Sequence, residues 1–176
     1  MPDAAGSGPV VVLCGPMGVG KSTVGALLAE RLGVSYRDTD ADVEAAEGRP
    51  ISDIFVDEGE PYFREAEARA VAEALASHDG VLALGGGAVL RPETRALLAG
   101  RPVVFLSMDV DAAAERLHLD RSRPLLLGNP RRKWRELMEE RRPLYTEVAR
   151  VVVDTDGRSP EQVAADVLTA LELKDA

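Results

Sequence analysis

The 176-residue sequence predicts an α/β fold in which a mostly parallel, five-stranded sheet lies between two layers of helices. Two observations predict this class. Short β-branched runs that are apolar on both faces alternate with longer segments suited to helices. A glycine-rich phosphate-binding motif follows the first of these runs. No repeat or linker divides the chain, so residues 1–176 are expected to form a single domain.

Each strand is predicted from one short apolar run. The runs are Val10–Cys14, Val34–Asp38, Val81–Leu84, Val103–Ser107 and Val151–Asp154. The segments between them suit helices at Lys21–Leu32, Pro61–Ser77, Pro92–Leu98, Val110–Arg116, Arg131–Val148 and Pro160–Leu173. The last helix has a clear start, because Ser159 can cap it, Pro160 suits its first position and Gln162 can complete a capping box.

Two stretches are longer than a simple alternation of strands and helices needs. Residues 40–77 can carry two or three helices between neighbouring strands, and residues 117–129 are rich in Arg, Pro, Gly and Asn. Long segments of this kind often bind substrate or close over it. We therefore interpret residues 40–77 as a helical substrate-binding segment and residues 117–129 as a lid.

Composition and charge restrict the classes of partner. The net charge of −9 argues against nucleic acid, because a polyanion would be repelled. The apolar runs are too short to span a membrane, and the N-terminus lacks the features of a signal peptide. The lone cysteine, Cys14, is interpreted as a small buried residue and fits a reducing cytoplasm. We expect a cytoplasmic monomer that acts on small molecules and binds neither nucleic acid nor membrane.

The segment Gly15–Ser22 matches the phosphate-binding pattern G-x-x-x-x-G-K-[ST]. It follows a buried strand and opens a helix, which is the context in which the pattern works. Its glycines let backbone N–H groups turn toward a phosphate, and the helix N-terminus adds a positive dipole. Lys21 can contact the β- and γ-phosphates, and the Ser22 hydroxyl can ligate Mg²⁺. The motif predicts a nucleoside triphosphate without specifying the reaction.

Two carboxylates, Asp38 and Asp40, follow the second strand. In an extended chain, side chains two apart point the same way, toward the edge where parallel sheets bind ligands. One carboxylate could support Mg²⁺ while the other accepts a proton from an attacking hydroxyl. Alternatively, Asp40 caps the following helix. The nearby phosphate motif favours the functional interpretation.

Three glycines follow the third predicted strand. Gly85, Gly86 and Gly87 could let a ligand approach the backbone, or could form a plain flexible turn. This strand has no acidic residue for metal, so Asp38 must supply that carboxylate. The dispersed arginines, taken one by one, fit solvated surface charges, and His78 is interpreted as a surface residue.

Several motifs, in their order along the chain, resemble those of the shikimate kinase family. They are the phosphate motif, Asp38-Thr39-Asp40, Asp53-Ile54-Phe55, Phe63-Arg64-Glu65, Leu84-Gly85-Gly86-Gly87-Ala88, Arg123-Pro124-Leu125-Leu126, Arg141-Arg142-Pro143-Leu144-Tyr145 and Val153-Asp154-Thr155. The resemblance covers nearly the whole chain. It implies the three-layer P-loop kinase fold and ATP-dependent phosphorylation of the shikimate 3-hydroxyl, a step toward chorismate and the aromatic amino acids.

The resemblance also implies roles on the nucleotide side. Ser22 would ligate Mg²⁺ directly, and Asp38 would support it. Arg123 would reach the phosphates from the lid, and Arg116 and Arg158 would flank the adenine. The residues that would hold the ATP phosphates are Gly18, Val19, Gly20, Lys21, Ser22 and Thr23.

On the acceptor side, the resemblance implies that Arg64 and Arg141 clamp the substrate carboxylate. Glu67 would orient these two arginines. Asp40 would bind the shikimate hydroxyls and serve as the base, and the backbone of the Gly85–Gly87 run, Gly86 above all, would contact the ring hydroxyls. Arginine suits a carboxylate because its planar guanidinium can form two parallel hydrogen bonds.

Two other interpretations remain open at this stage. One is another small-molecule P-loop kinase, such as a gluconate or nucleoside-monophosphate kinase. The other is a nucleotide-dependent switch, although the N-K-x-D motif typical of guanine switches is missing from the sequence. The triple glycine and the positions of Arg64 and Arg141 favour a cyclic hydroxy-carboxylate as the acceptor.

Overall fold

The computed structural model of the chain describes residues 8–109 and 130–176. Its sheet has five strands in the order β2-β3-β1-β4-β5, and every neighbouring pair is parallel. The strands are β1 Val11–Cys14, β2 Tyr36–Asp38, β3 Val81–Ala83, β4 Val103–Ser107 and β5 Val151–Asp154. The predicted α/β class and the five strands are confirmed, with ends that differ by at most two residues from the predicted ones.

Seven helices accompany the sheet in the described parts of the chain. They are α1 Lys21–Leu32, α2 Thr39–Glu47, α3 Ile51–Glu58, α4 Glu60–Ser77, α5 Pro92–Leu98, α6 Pro130–Val148 and α7 Pro160–Ala170. The capping box predicted at Ser159 and Gln162 is present at the start of α7. The helix predicted at 110–116 and the lid predicted at 117–129 lie outside the described residues.

The main hydrophobic core surrounds the central strands. Val11, Val12 and Leu13 of β1 are fully buried, as expected for a strand covered by helices on both faces. Helices α1 and α7 pack against each other, while α6 contacts α5 and β4. This core supports the C-terminal ends of β1, β2 and β3, where parallel sheets bind ligands.

The segment predicted to bind substrate contains three helices, α2 to α4. It has a separate hydrophobic cluster, the small core, formed by Val43, Ile54, Phe63 and Ala66. The rings of Phe55 and Phe63 lie 4.9 Å apart at its edge. The segment is therefore held together by an apolar cluster that is distinct from the main core.

Two predictions about single side chains have opposite outcomes. Cys14 is buried at the end of β1, as expected. His78 was predicted to lie on the surface, and this is wrong, because only 9% of its surface is exposed. Its Nε2 lies 3.1 Å from the carbonyl oxygen of Val81, so the imidazole links the end of α4 to the start of β3. Among residues 8–109 and 130–176, the helices are too short or too polar to cross a membrane.

Candidate active site

The phosphate loop, Gly15–Gly20, joins the buried end of β1 to the first turn of α1. Gly18 and Gly20 have φ angles of 84° and 102°, in a region that disfavours residues with a Cβ. Gly20 occupies the N-cap position of α1 without a side-chain cap, so the first N–H groups of this helix are left for a ligand. The geometry is that of a phosphate cradle.

Lys21 folds back over this loop. Its Nζ donates hydrogen bonds of 2.7 and 3.0 Å to the carbonyl oxygens of Gly15 and Pro16. Burial lowers the pKa of Lys21 to about 8, and the carboxylates of Asp38 and Asp40 oppose this shift. The ammonium group therefore lies against the loop, where burial disfavours its charged form. A bound phosphate would favour the charged form again.

The carboxylate of Asp38 caps helix α2. Its Oδ1 accepts a hydrogen bond of 2.8 Å from the backbone N–H of Asp40. The cap considered from sequence was Asp40; the structure instead places Asp40 inside the first turn of α2. The two carboxylates still reach one cavity, although a helical turn brings them together and not an extended strand. The hydroxyl of the intervening Thr39 accepts a bond of 3.2 Å from Gly85 N–H, which joins this turn to the triple glycine.

Asp40 lies against the triple glycine, where a Cβ at Gly85 would collide with its carboxylate oxygen. Burial raises the pKa of Asp40, and the negative charge of Asp38 raises it further, while Lys21 opposes both. A carboxylate with a raised pKa is a better proton acceptor than an ordinary aspartate. The surroundings of Asp40 therefore suit a general base.

The three glycines have different surroundings. A Cβ at Gly85 or Gly87 would collide with the side chain of Asp40 or Arg64, respectively. At Gly86 the nearest atom to such a Cβ would be the backbone N of Met17, at 3.6 Å. The glycines at the two ends of the run thus make room for protein side chains, and Gly86 faces the cavity, where a ligand could approach.

Arg64 is held between two carboxylates on its own helix. Its Nη1 donates to Glu67 Oε1 at 2.9 Å, and its Nε donates to Glu60 Oε2 at 3.1 Å. The side chain of Glu67 is only 4% exposed. Burial raises the pKa of Glu67, and the charges of Arg64 and Arg141 oppose that rise. The partner Glu60 was not predicted from sequence, although its spacing of four residues from Arg64 is the usual signal for a helical ion pair.

Helix α6 contributes a wall that the sequence analysis identified only at Arg141. The cavity is also lined by Trp134, Met138 and Tyr145. These four residues lie on one face of the helix, because they recur at spacings of three or four. That periodicity is visible in the sequence and could have predicted the wall.

The residues predicted for the nucleotide side and those predicted for the acceptor side line a single cavity of about 590 Å³. The phosphate loop and Lys21 form one side, and the carboxylates, Arg64 and the triple glycine form the other. Of the predicted site residues, those that line it are Gly18, Gly20, Lys21, Ser22, Thr23, Asp38, Asp40, Arg64, Glu67, Gly85, Gly86, Gly87 and Arg141.

Two predicted nucleotide contacts within the described residues, Val19 and Arg158, do not line this cavity. Arg158 lies in an adjoining hollow of about 320 Å³, beside Val19, Gly20 and Thr23 of the nucleotide side. Its guanidinium forms an ion pair with Asp166, with Nη2 and Oδ2 2.6 Å apart. Arg116 and Arg123, the other two contacts, lie outside the described residues.

The oxygen atoms near the phosphate loop fit a magnesium ion. Ser22 and Asp38 line the same cavity, and the Tyr36 hydroxyl donates a hydrogen bond of 3.4 Å to Asp38 Oδ2. Within the described ranges, no group of three or more His, Cys, Asp or Glu residues is arranged to hold a metal ion by itself. This donor set suits Mg²⁺, which takes few protein ligands and is otherwise held by phosphates and water.

A phosphate cradle that shares a cavity with a candidate base and two arginines defines a P-loop kinase of small molecules. Residues 17–172 match the family model for shikimate kinase. The chain is 72% identical to the shikimate kinase of Streptomyces avermitilis over 168 residues, which cover 96% of this chain and 98% of the relative. It therefore belongs to the shikimate kinase family.

The solved structures give the same result. The shikimate kinase from Acinetobacter baumannii, in complex with shikimate, superimposes with a TM-score of 0.86 at 38% identity, covering 94% of this chain and 93% of that one. A gluconokinase from Sinorhizobium meliloti gives a TM-score of 0.59 at 26% identity, covering 93% of this chain and 91% of that one. The fold is shared with gluconokinases, and the detailed likeness is to shikimate kinases.

Proposed function

We propose that this enzyme transfers the γ-phosphoryl group of ATP to the 3-hydroxyl of shikimate within the 590 Å³ cavity. One observation carries the proposal: the phosphate loop shares its cavity with a second set of residues. This set, which we call the acceptor wall, consists of Asp40, Arg64, Glu67, Gly86 and Arg141. A kinase needs both halves within one cavity, because transfer requires the attacking and leaving oxygens to be in line.

The shikimate carboxylate would bind between Arg64 and Arg141. Glu67 supports this assignment, since its buried carboxylate holds Nη1 of Arg64 and sets the direction of the guanidinium. The two guanidiniums could each donate charge-assisted hydrogen bonds to a substrate carboxylate, which would compete with the more exposed Glu60 for Arg64. The Gly86 backbone, which faces the cavity, would contact the ring hydroxyls.

Asp40 would accept the proton of the attacking hydroxyl. Its raised pKa makes it a stronger base, and it lines the same cavity as Lys21 on the nucleotide side and Arg64 on the acceptor side. Lys21 would leave the carbonyl oxygens of its own loop and bind the β- and γ-phosphates. This exchange trades neutral acceptors for charged ones, and charge-assisted hydrogen bonds are the stronger kind.

Ser22 and Asp38 would hold Mg²⁺ on the nucleotide side. When bound, the ion would neutralise charge on the β- and γ-phosphates. The Asp40 N–H donates to Asp38 Oδ1 and the Tyr36 hydroxyl donates to Oδ2, so both oxygens of the Asp38 carboxylate are held in place. Arg123 is proposed to reach the phosphates from the lid, and Arg116 and Arg158 to flank the adenine.

The enzyme is also proposed to act as a monomer in the cytoplasm, without nucleic acid or membrane partners. Light scattering at assay concentration tests this point, and a dimer that dissociates with loss of activity would contradict it.

The decisive experiment is a coupled assay with ATP and a panel of acceptors that includes shikimate, gluconate and nucleoside monophosphates. We expect kcat/KM for shikimate to exceed that for the others at least about a thousandfold, since only shikimate matches both the arginines and the base. Comparable rates with gluconate, or ATP hydrolysis without any acceptor, would contradict the proposal.

A further inference from the structure

Tyr145 is a fully buried residue for which the sequence predicts no role. It lies on α6, one turn beyond Arg141, and its side chain reaches the wall of the cavity. A buried tyrosine contributes a large apolar ring, and its hydroxyl requires a hydrogen-bond partner. This hydroxyl lies where two parts of the acceptor wall meet.

The phenol contacts the Gly86 backbone and lies beside Arg141. Its hydroxyl donates a hydrogen bond of 2.5 Å to the carbonyl oxygen of Gly86. Burial raises the pKa of Tyr145, and the positive charge of Arg141 opposes that rise. Nη1 of Arg141 lies 3.8 Å from the position that a Cβ at Gly86 would take. Tyr145 is therefore placed where a backbone group after β3 meets a side chain of α6.

The ring places this hydroxyl accurately. It packs on Phe105 of β4, with ring centroids 5.0 Å apart, and both residues belong to the main core. Arg141 is held less completely, since its buried Nε has no hydrogen-bond partner among the described residues. The phenol is therefore a polar neighbour of an arginine that is only partly satisfied.

We propose that Tyr145 is a positioning residue that aligns the Gly86 backbone and the Arg141 guanidinium for the acceptor. The inference rests on the proposed acceptor contacts, and it adds the group that keeps two of them in register. The Gly86 carbonyl points to the phenol, so the peptide plane at this position is fixed before substrate arrives. Loss of the hydroxyl should then weaken shikimate binding and leave ATP binding unchanged.

The test variant is Tyr145→Phe, which keeps the ring on Phe105 and removes only the hydroxyl. The protein has a single tryptophan, Trp134, which lines the cavity and can report shikimate binding by fluorescence. We expect Kd for shikimate and KM to rise about tenfold, kcat to change less than about threefold, and Kd for ATP to stay within about twofold. Tyr62→Phe is the matched control, because it removes a hydroxyl that bonds to Glu47 away from the cavity.

Two outcomes would overturn the inference. One is unchanged shikimate affinity in Tyr145→Phe. The other is an equal loss for ATP and shikimate, which a general loosening of the fold would cause. Assays well below the melting temperature of each variant keep these outcomes distinct from unfolding.

A double-mutant cycle tests whether Tyr145 acts through Arg141. In an Arg141→Lys background, Tyr145→Phe should weaken shikimate binding less than about threefold, because its partner is already altered. A full tenfold effect in that background would overturn the link to Arg141. Wild-type protein that fails to bind shikimate would instead refute the proposed function, so the two failures are distinguishable.

Discussion

The phosphate loop uses backbone groups from one contiguous stretch of chain, whereas the acceptor wall uses groups from four separate segments. The loop extends directly from β1, whose residues are buried in the main core. Much of the acceptor wall stands on α2 and α4, which enclose the small core of Val43, Ile54, Phe63 and Ala66. The phosphate loop, which would bind ATP, is thus the more firmly supported half of the site. The acceptor wall, which would select the acceptor, rests on fewer apolar contacts.

The largest effect is expected when Lys21, the cation at the phosphate loop, is removed. Lys21→Ala should lower kcat at least about a thousandfold, because the lysine stabilises charge on the transferred phosphoryl group. If the two halves are independent, shikimate should still quench or enhance Trp134 fluorescence with wild-type affinity. Lys133→Ala, at an exposed position on α6, is the control. Turnover near the wild-type rate would contradict the role of the loop.

The second effect tests the base in the acceptor wall. Asp40→Asn should lower kcat at least about a hundredfold by removing the proton acceptor. It should also raise the melting temperature at neutral pH, because a raised pKa in the fold means that ionised Asp40 opposes folding. This gain should shrink as the pH falls and the wild-type carboxyl takes up its proton.

Exposed Asp53 provides the control, since Asp53→Asn should not stabilise the protein. The measurements are steady-state kinetics and thermal melts over a range of pH. Unchanged kcat, or a lower melting temperature at neutral pH, would contradict the assignment of Asp40.

The third effect concerns the two arginines that meet at the acceptor. Arg64→Ala or Arg141→Ala should each cost about 2–4 kcal/mol in kcat/KM for shikimate, with Kd for ATP nearly unchanged. Arg64→Lys should not rescue, because a single ammonium cannot form the paired bonds. The double variant should lose less than the sum of the single losses.

Arg69→Ala is the matched control, at an exposed position on the same helix as Arg64. Additive losses in the cycle would place the arginines on different groups. A loss of ATP affinity equal to the loss for shikimate would erase the proposed division between the two halves.

The fourth effect uses pH to separate the halves. Burial lowers the pKa of Lys21 to about 8, so the free enzyme loses this charge as the pH rises through that value. Bound phosphates would restore an ordinary pKa, and ATP binding should then take up a proton. Affinity for ATP should fall about tenfold between about pH 7 and pH 9.

Calorimetry in buffers of different ionisation enthalpy measures the proton uptake directly. In Lys21→Ala the uptake near pH 8 should disappear. ATP affinity that is independent of pH in the wild type would show that another cation dominates.

The smallest effect on ligand affinity is expected from the small core, and a substitution in the main core serves as the reference. Leu82→Ala in the main core should lower the free energy of unfolding by about 2–5 kcal/mol. Ile54→Ala in the small core should raise Kd for shikimate about three- to tenfold, with little change for ATP, because only the acceptor segment loosens. Both parent side chains are fully buried, which makes them a matched pair. Equal losses of ATP and shikimate affinity in Ile54→Ala would mean that the small core is not a separate unit.

The sequence predicts the half of the site that is local in the chain. A strand, a glycine pattern and a helix occur in succession at Val11 to Leu32, so short-range rules suffice there. The bounds of α1, β4 and β5 match the predicted ones for the same reason.

The other half depends on contacts between distant residues. The triple glycine was interpreted as room for a ligand, but Gly85 and Gly87 make room for Asp40 and Arg64. The role of Asp38 as the cap of α2 depended on where the strand stops. The wall on α6 required knowing which face of that helix turns toward the cavity. Sequence patterns list such groups without giving their separation in space.

The position of β1 has a consequence for how the enzyme is made. It is the first strand to be synthesised, yet its neighbours in the sheet are β3 and β4. Val12 can therefore be paired on both sides only after Leu82 and Val103 have been synthesised. Contacts between residues far apart in the chain slow folding and leave strand edges exposed meanwhile. A nascent chain that ends before β4 is therefore expected to carry the complete nucleotide motif without a formed cradle. The enzyme gains its ability to hold ATP late in translation, even though the motif for it emerges early.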